Sequence, residues 1–331
     1  LILVSHQPED DPALLPDPAP YLNLGAVLLV GLFAAGLLGA WWGLVRSDAL
    51  VSRTDNPRRI INDQYVKRGS LLDRNGFGLD TTSGAPGSYF REYSYPPLSP
   101  TLGYTSGQYG QAGLEASMDA YLRGLQGYPS SSLWINQLLY GQPPPGLDVR
   151  LSLDLGLQKL VDQALGNRKG AVVLLHAGTG EILAMASHPN YDPNRLEDEW
   201  STIIQDKSAP LLNRATLGQY PAGTVLGPFL AARQLQDSFD LPAVQSPSFS
   251  SPEGTLPCNP GAPDNPTPGQ AVAAGCPVYL VEMGGNLGKS GLLKLYQDLG
   301  FFQEPALRLP AASQPQSGAI IDLNKASLGM E

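Results

Sequence analysis

From Leu22 to Val45 the chain reads LNLGAVLLVGLFAAGLLGAWWGLV, with no charged residue. At about 1.5 Å of rise per residue, such a run crosses the roughly 30 Å hydrocarbon core of a bilayer. Lipid offers no partner to a backbone N–H or C=O, so a spanning segment of this kind must be a helix. Trp41 and Trp42 stand near one end, where amphipathic rings favour the membrane–water boundary. A cleaved signal peptide would carry a shorter apolar core and a basic flank. The flank here is acidic, with Glu9, Asp10, Asp11 and Asp17. A buried core helix of this length would show a polar face. The expectation is one transmembrane helix over residues 21–46, preceded by an acidic, Pro-rich tail over 1–20. The chain is then a single-pass protein of the cell membrane, with the lipid bilayer as its first partner.

Orientation is contested within the sequence. No Lys or Arg precedes the span, whereas Arg46, Arg53, Arg58, Arg59, Lys67 and Arg68 follow it. The positive-inside rule, taken alone, places the large C-terminal part in the cytoplasm.

Composition narrows the function class. The net charge is −9, with only 15% charged residues among 331, and the isoelectric point is near 4.8. Nucleic acid is therefore not an expected partner. His6, His176 and His188 are scattered, and no Cys/His spacing suggests zinc. There is no glycine-rich phosphate loop. No metal and no cofactor is expected. Cys258 and Cys276 lie in a Pro/Gly-rich segment and either pair, as an extracellular location would favour, or remain free and buried.

After the span the patterning is mixed and turn-rich to about residue 147. Val66–Asp80 reads as two short extended runs around Asn75-Gly76, a hairpin signal. Gly110–Gly124 reads as a short helix. QPPPG over Gln142–Gly146 reads as a linker. DVRLSLD from Asp148 alternates as a half-buried strand does. Leu157, Leu160, Val161, Ala164 and Leu165 then form the apolar stripe of an amphipathic helix with Asp154 near its start. Gly170–Ala177 and Glu181–Ser187 are strands joined by the turn Gly178-Thr179-Gly180. Leu292–Leu299 is a helix stopped by Gly300. Helices over an antiparallel sheet give an α+β fold.

Several of these segments resemble motifs of class B penicillin-binding proteins, in the family's order. RGSLLDRNG from Arg68 is similar to the sequence after that family's membrane anchor. GYTSGQYGQAGLEASMDAYLRG from Gly103 resembles its pedestal motif. DVRLSLDLGLQ from Asp148 resembles the entry to its transpeptidase domain, and GAVVLLHAGTGEILAMASHPNYDPN from Gly170 its first hairpin. The resemblance implies a mixed, β-rich pedestal domain, dimerisation-like, over residues 47–147. It also implies a penicillin-binding protein/β-lactamase-like transpeptidase domain over 148–331, truncated at its C-terminus. It places the bulk of the chain outside the cytoplasm, against the charge rule. Arg68, Asp73, Arg74, Tyr109 and Glu115 are read as fold-building contacts, and His188 as a structural or solvated histidine rather than a base.

The same resemblance exposes what is missing. In the family a serine begins a helix after YPPGS, and a lysine three residues later takes its proton. Residues i and i+3 share one helix face, and a serine hydroxyl needs such a base. In Tyr220–Phe229, YPAGTVLGPF, Thr224 holds the serine position and Gly227 the lysine position. The second motif, S-x-N, is replaced by Gly275-Cys276-Pro277. Thr224 is instead expected to cap a helix over Val225–Leu235. The look-alike Lys289-Ser290-Gly291 falls at a helix start, with Ser290 as a cap, and the family's third motif would lie beyond Glu331. The resemblance thus implies a pseudoenzyme of peptidoglycan synthesis, working through an integral membrane partner such as a polytopic peptidoglycan glycosyltransferase. Two alternatives stand beside it: an accessory structural subunit of an unrelated membrane complex, and a divergent active transpeptidase. In the latter Thr224 would be the nucleophile, with Lys207 or Lys289 as base.

Overall fold

The computed structural model describes residues 19–42, 64–141, 144–237, 240, 248–251, 254–313 and 320–330. The acidic tail up to residue 18, the last residues of the expected span and the arginines from 46 to 59 lie outside them. The chain divides into two units, Leu1–Tyr65 and Val66–Glu331.

In the first unit, α1 (Ala19–Ala40) has none of its residues buried. It begins two residues before the expected span, and its mean hydropathy of 2.1 suits a membrane segment.

The second unit begins with a four-stranded sheet in the order β3-β2-β1-β6. Strands β1 (Leu71–Leu72), β2 (Gly78–Ser83) and β3 (Phe90–Tyr93) run antiparallel, and β6 (Val149–Arg150) lies parallel to β1. The turn between β1 and β2 is the expected one, with Gly76 at φ 89°. Asp73 Oδ1 accepts from the N–H groups of Asn75 and Phe77, both at 2.8 Å, which fixes that turn. The helix expected over Gly110–Gly124 is broken. A one-turn helix α2 (Ser99–Leu102) leads to the paired strands β4 (Thr105–Ser106) and β5 (Gly110–Gln111), followed by α3 (Gly113–Ser117) and α4 (Asp119–Leu122). Met118, at φ −101° and ψ 6°, separates the last two. A longer helix, α5 (Ser130–Tyr140), follows.

Charge holds this part together. The Arg68 guanidinium donates to Glu115 Oε2 at 2.6 Å and to Asp119 Oδ1 at 2.6 Å. Arg91 donates to Glu115 Oε1 at 2.6 Å and to Asp80 Oδ1 at 2.7 Å. Two guanidiniums around the buried Glu115 hold its carboxyl down to about 2 despite the burial that opposes ionisation. Burial, with Glu115 beside it, pushes Asp80 up to about 8 against the pull of Arg91. Arg68 and Glu115 are fold-building residues, as expected. Tyr109 joins them by stacking on Trp200 with ring centroids 4.2 Å apart.

The half-buried strand read over 148–154 is regular only at β6. Helix α6 (Leu155–Leu165) starts at Asp154, whose side chain accepts from the N–H groups of Gly156 and Leu157. Its buried face is not the apolar stripe. Leu160 is 62% exposed, whereas Gln158 is fully buried. The reason lies in the hairpin of β7 (Gly170–Leu175) and β8 (Ile182–His188). The Gln158 amide donates to Met185 O at 3.2 Å and accepts from Met185 N at 2.8 Å, so it acts as one further rung on β8. Val172–Leu175 on β7 remain exposed. His188 bridges Asp162 Oδ1 and Gly166 O at 2.9 and 2.8 Å, the structural role read from the sequence.

Helix α7 (Leu196–Gln205) closes an aromatic cluster of Tyr104, Tyr191 and Trp200. Beyond it come α8 (Gly227–Gln236), the hairpin β9 (Ser248–Ser251) and β10 (Gly254–Pro257), α9 (Pro268–Ala273), α10 (Pro277–Asp298) and α11 (Leu323–Ser327). Leu226, Leu230, Tyr279, Leu280, Met283 and Leu292 form their shared core. The helix read over Leu292–Leu299 is the second half of α10, which kinks at Gly288 and gives way to Gly300 at φ 77°.

Candidate functional site

The chain enters α8 through a 3-10 turn, Gly223–Leu226, and Pro228 sits in the helix's first turn, where its missing N–H costs nothing. Ala222 N donates to Gly329 O at 3.0 Å, tying this entry to the chain after α11. Neither the 3-10 turn nor α8 has a side-chain cap. The expected capping role of Thr224 is therefore corrected: the residue lies inside the 3-10 turn that leads into α8, and its side chain caps neither element. Thr224 as a whole is half-buried.

Thr224 and Gly275, far apart in sequence, meet here. A Cβ on Gly275 would stand 2.7 Å from Thr224 Oγ1 and 3.0 Å from Asn259 Nδ2. The backbone at Gly275 is left-handed, at φ 59°. Its cause is local. Helix α9 begins with a capping box between Thr267 and Gln270 and ends at Ala274, so Gly275 is the glycine that stops it. Cys276 is the N-cap residue of α10, and Pro277 occupies that helix's first position, as proline favours. Gly275 and Pro277 thus form a stop and a start between two helices, with no functional side chain at either place.

Gly227 is buried. A Cβ there would have Val272 Cγ1 at 3.3 Å and Leu280 Cδ1 at 3.4 Å, so its nearest neighbours are aliphatic carbons. Glycine itself brings no side chain that could accept or donate a proton at this place.

Cys258 and Cys276 are joined, with Cα atoms 4.1 Å apart. The bond pins the start of α10 to the strand end after β10. Asn259 follows Cys258, and its N–H donates to Ala274 O at 3.0 Å, which sets its side chain beside Gly275. Nothing in the sequence reading singled out Asn259; its adjacency to a bonded cysteine was the signal available.

The other candidates lie apart from this constellation in their bonding. Lys289 donates to Ile321 O at 2.7 Å. Lys207 is exposed in the loop after α7. Lys289-Ser290-Gly291 stands where α10 resumes immediately after the non-helical Gly288, at φ 66° and ψ 175°, which is the helix start read from the sequence. Among the described residues no group of three or more His, Cys, Asp or Glu is placed to hold a metal ion.

Comparison with known proteins gives two family matches. The penicillin binding protein transpeptidase domain matches residues 170–329, and the penicillin binding protein A dimerisation domain matches 68–149. The chain is 30% identical over 303 residues to the peptidoglycan D,D-transpeptidase PbpA of Mycolicibacterium smegmatis, a match covering 82% of this chain and 60% of that protein. It is 35% identical over 136 residues to the peptidoglycan D,D-transpeptidase MrdA of Escherichia coli K12, covering 38% of this chain and 22% of the relative. Among solved structures, penicillin-binding protein A from M. tuberculosis, an imipenem acyl-enzyme complex, superposes with a TM-score of 0.70 at 25% identity, covering 82% of this chain and 68% of that one.

Proposed function

Since the chain belongs to the class B penicillin-binding proteins, we propose that it is a membrane-anchored pseudoenzyme of peptidoglycan synthesis. It acts by contact with another integral membrane protein, a polytopic peptidoglycan glycosyltransferase, rather than by acyl transfer. The bulk of the chain lies outside the cytoplasm. The observation that carries this reading is the environment of Gly227 and Gly275. Acyl transfer by a hydroxyl needs a base within hydrogen-bond reach. Position 227 looks onto Val272 and Leu280, and Gly275 leaves no room for a side chain beside Thr224. Losing one member of such a catalytic unit costs roughly 10⁴- to 10⁶-fold in rate.

The direct test is a labelled penicillin incubated with the purified chain. No covalent stain is expected, either in the wild type or in Thr224→Ser/Gly227→Lys, since Gly275 and Pro277 remain. A stain that disappears in Thr224→Ala would sink the pseudoenzyme reading in favour of a divergent transpeptidase. Co-purification from membranes addresses the role. A peptidoglycan polymerase is the expected companion, and an unrelated complex in its place would point to an accessory subunit.

A further inference from the structure

His188 ends β8, and both of its ring nitrogens face oxygen. Nδ1 lies 2.8 Å from Gly166 O and Nε2 2.9 Å from Asp162 Oδ1. A backbone carbonyl only accepts, so Nδ1 carries a proton. A neutral imidazole has one donor and one acceptor nitrogen, and Nε2 would then turn its lone pair on a carboxylate oxygen. The second contact is a hydrogen bond only with a proton between Nε2 and Oδ1.

The other oxygen of the carboxylate decides where that proton sits. Asp162 Oδ2 accepts from the Tyr95 hydroxyl and from Gln158 Nε2, both at 3.1 Å. The amide cannot turn over, because its nitrogen and oxygen also meet the C=O and N–H of Met185. Burial, with Asp162 beside it, pushes the Tyr95 hydroxyl up to about 12, so the phenol stays a donor at neutral pH. Two hydrogen bonds accepted at one oxygen stabilise the ionised carboxylate, which leaves the proton on the ring. The two side chains are only 12% and 6% exposed, so water screens the pair weakly. Gly166 also closes α6 at its C-terminal end, where the helix dipole favours a cation. The cations around the pair are engaged or solvated. Lys159 lies over the Tyr95 ring, Arg168 donates to Ala164 O, and the Arg214 guanidinium donates to Ser208 O and Ala209 O. Lys169 is exposed.

We propose that His188 is a doubly protonated clamp that senses pH. As an imidazolium it fastens the end of β8 to Asp162 and to the carbonyl that closes α6. When it gives up its second proton, one of the two bonds is lost and that end of α6 loosens. The folded chain holds a proton that the unfolded chain has released. The clamp is therefore closed in acid and opens as pH rises above histidine's ordinary titration range.

The test uses the full chain in detergent, isotope-labelled at the histidine ring nitrogens. Long-range proton–nitrogen NMR correlation reads how many ring nitrogens are protonated, and His188→Gln identifies the resonances. At a pH at which the same chain unfolded in urea shows neutral imidazoles, His188 should still show protons on both nitrogens. One bare nitrogen at that pH overturns the proposal. The second readout is amide hydrogen exchange at Gly166, whose N–H donates to Asp162 O. As the second proton leaves, exchange there should rise roughly tenfold beyond the intrinsic increase with pH. His188→Gln keeps an amide that can donate but nothing that titrates, so the step should be absent from it. Exchange that follows the intrinsic rate in the wild type, or the same step in His188→Gln, overturns the switch. Should that variant fail to fold, the protonation state of the wild-type ring still decides the matter.

Discussion

Asp80 and Glu115 share the Arg91 guanidinium, Glu115 holds that of Arg68 as well, and the two carboxyls pull stability in opposite directions as pH changes. The Glu115 carboxyl sits at about 2, below its ordinary 4.5, so its contribution is present above the ordinary value and is lost as pH falls toward 2. The Asp80 carboxyl sits at about 8, above its ordinary 3.8. Between those two values the folded chain binds a proton that the unfolded chain has released, so stability falls as pH rises through that window. The urea midpoint of the detergent-solubilised chain should therefore be higher at pH 5 than at pH 8. Asp80→Asn, which keeps the shape and removes the titration, should flatten that difference, and an unchanged slope would assign it to another group. Gly275 gives a second test at this scale. Gly275→Ala puts a Cβ 2.7 Å from Thr224 Oγ1 at a left-handed φ, and should cost about 1–3 kcal/mol. Pairing it with Thr224→Ala relieves the contact but not the backbone, so the double variant should recover only part of the loss. Thr224, Gly227, Gly275 and Pro277 were legible in the sequence as candidate positions, because each fell inside a motif frame. The nearness of Asn259 and the aliphatic surroundings of Gly227 were not. They depend on where a disulfide and two helices bring distant backbone together, and no local pattern encodes that.

Among the elements, short-range chemistry read well. Asn75-Gly76 marked its turn, Asp154 its helix start, Gly178-Thr179-Gly180 its hairpin and Gly300 its helix stop. Each of these is decided by backbone geometry within a few residues. Helix α6 shows where such reading stops. Its period predicted a buried stripe through Leu160, yet the buried residues are Gln158 and Asp162. A buried amide is favourable only when satisfied, and the partner that satisfies Gln158 is Met185 on another element. Gln158→Leu is nearly the same size and more apolar, so hydrophobicity alone predicts a gain. The two hydrogen bonds to β8 predict the reverse. Removing them leaves the N–H and C=O of Met185 buried without that partner, at a cost of about 2–3 kcal/mol. A thermal or urea melt of Gln158→Leu decides between the two, and a stabilised variant would show that β8 finds other partners. The gap between α3 and α4 has a similar origin: the apolar spacing runs on through Met118, but Glu115 and Asp119 are each committed to Arg68.

For the molecule as a whole, the open issue is the side of the membrane on which Val66–Glu331 lies. The sequence supplied a charge count that favours the cytoplasm and a resemblance that favours the opposite side. Two structural features alter the balance. Arg68 is buried and paired with Glu115 and Asp119, so it is a fold residue and not a free cation flanking the span. Cys258 and Cys276 are bonded, and a structural disulfide persists in oxidising compartments rather than in a reducing cytoplasm. Both features favour an extracytoplasmic location, and the bonded pair also leaves the chain without a reactive thiol among its described residues. A cysteine introduced at Asn167, exposed in the turn after α6, is therefore a clean reporter. A membrane-impermeant maleimide applied to intact cells should label Asn167→Cys and leave the parent chain unlabelled. If labelling instead required lysis, the arginines after the span would have set the topology. The disulfide would then have to be absent in the cell, which thiol labelling of the parent chain in those same lysates would reveal.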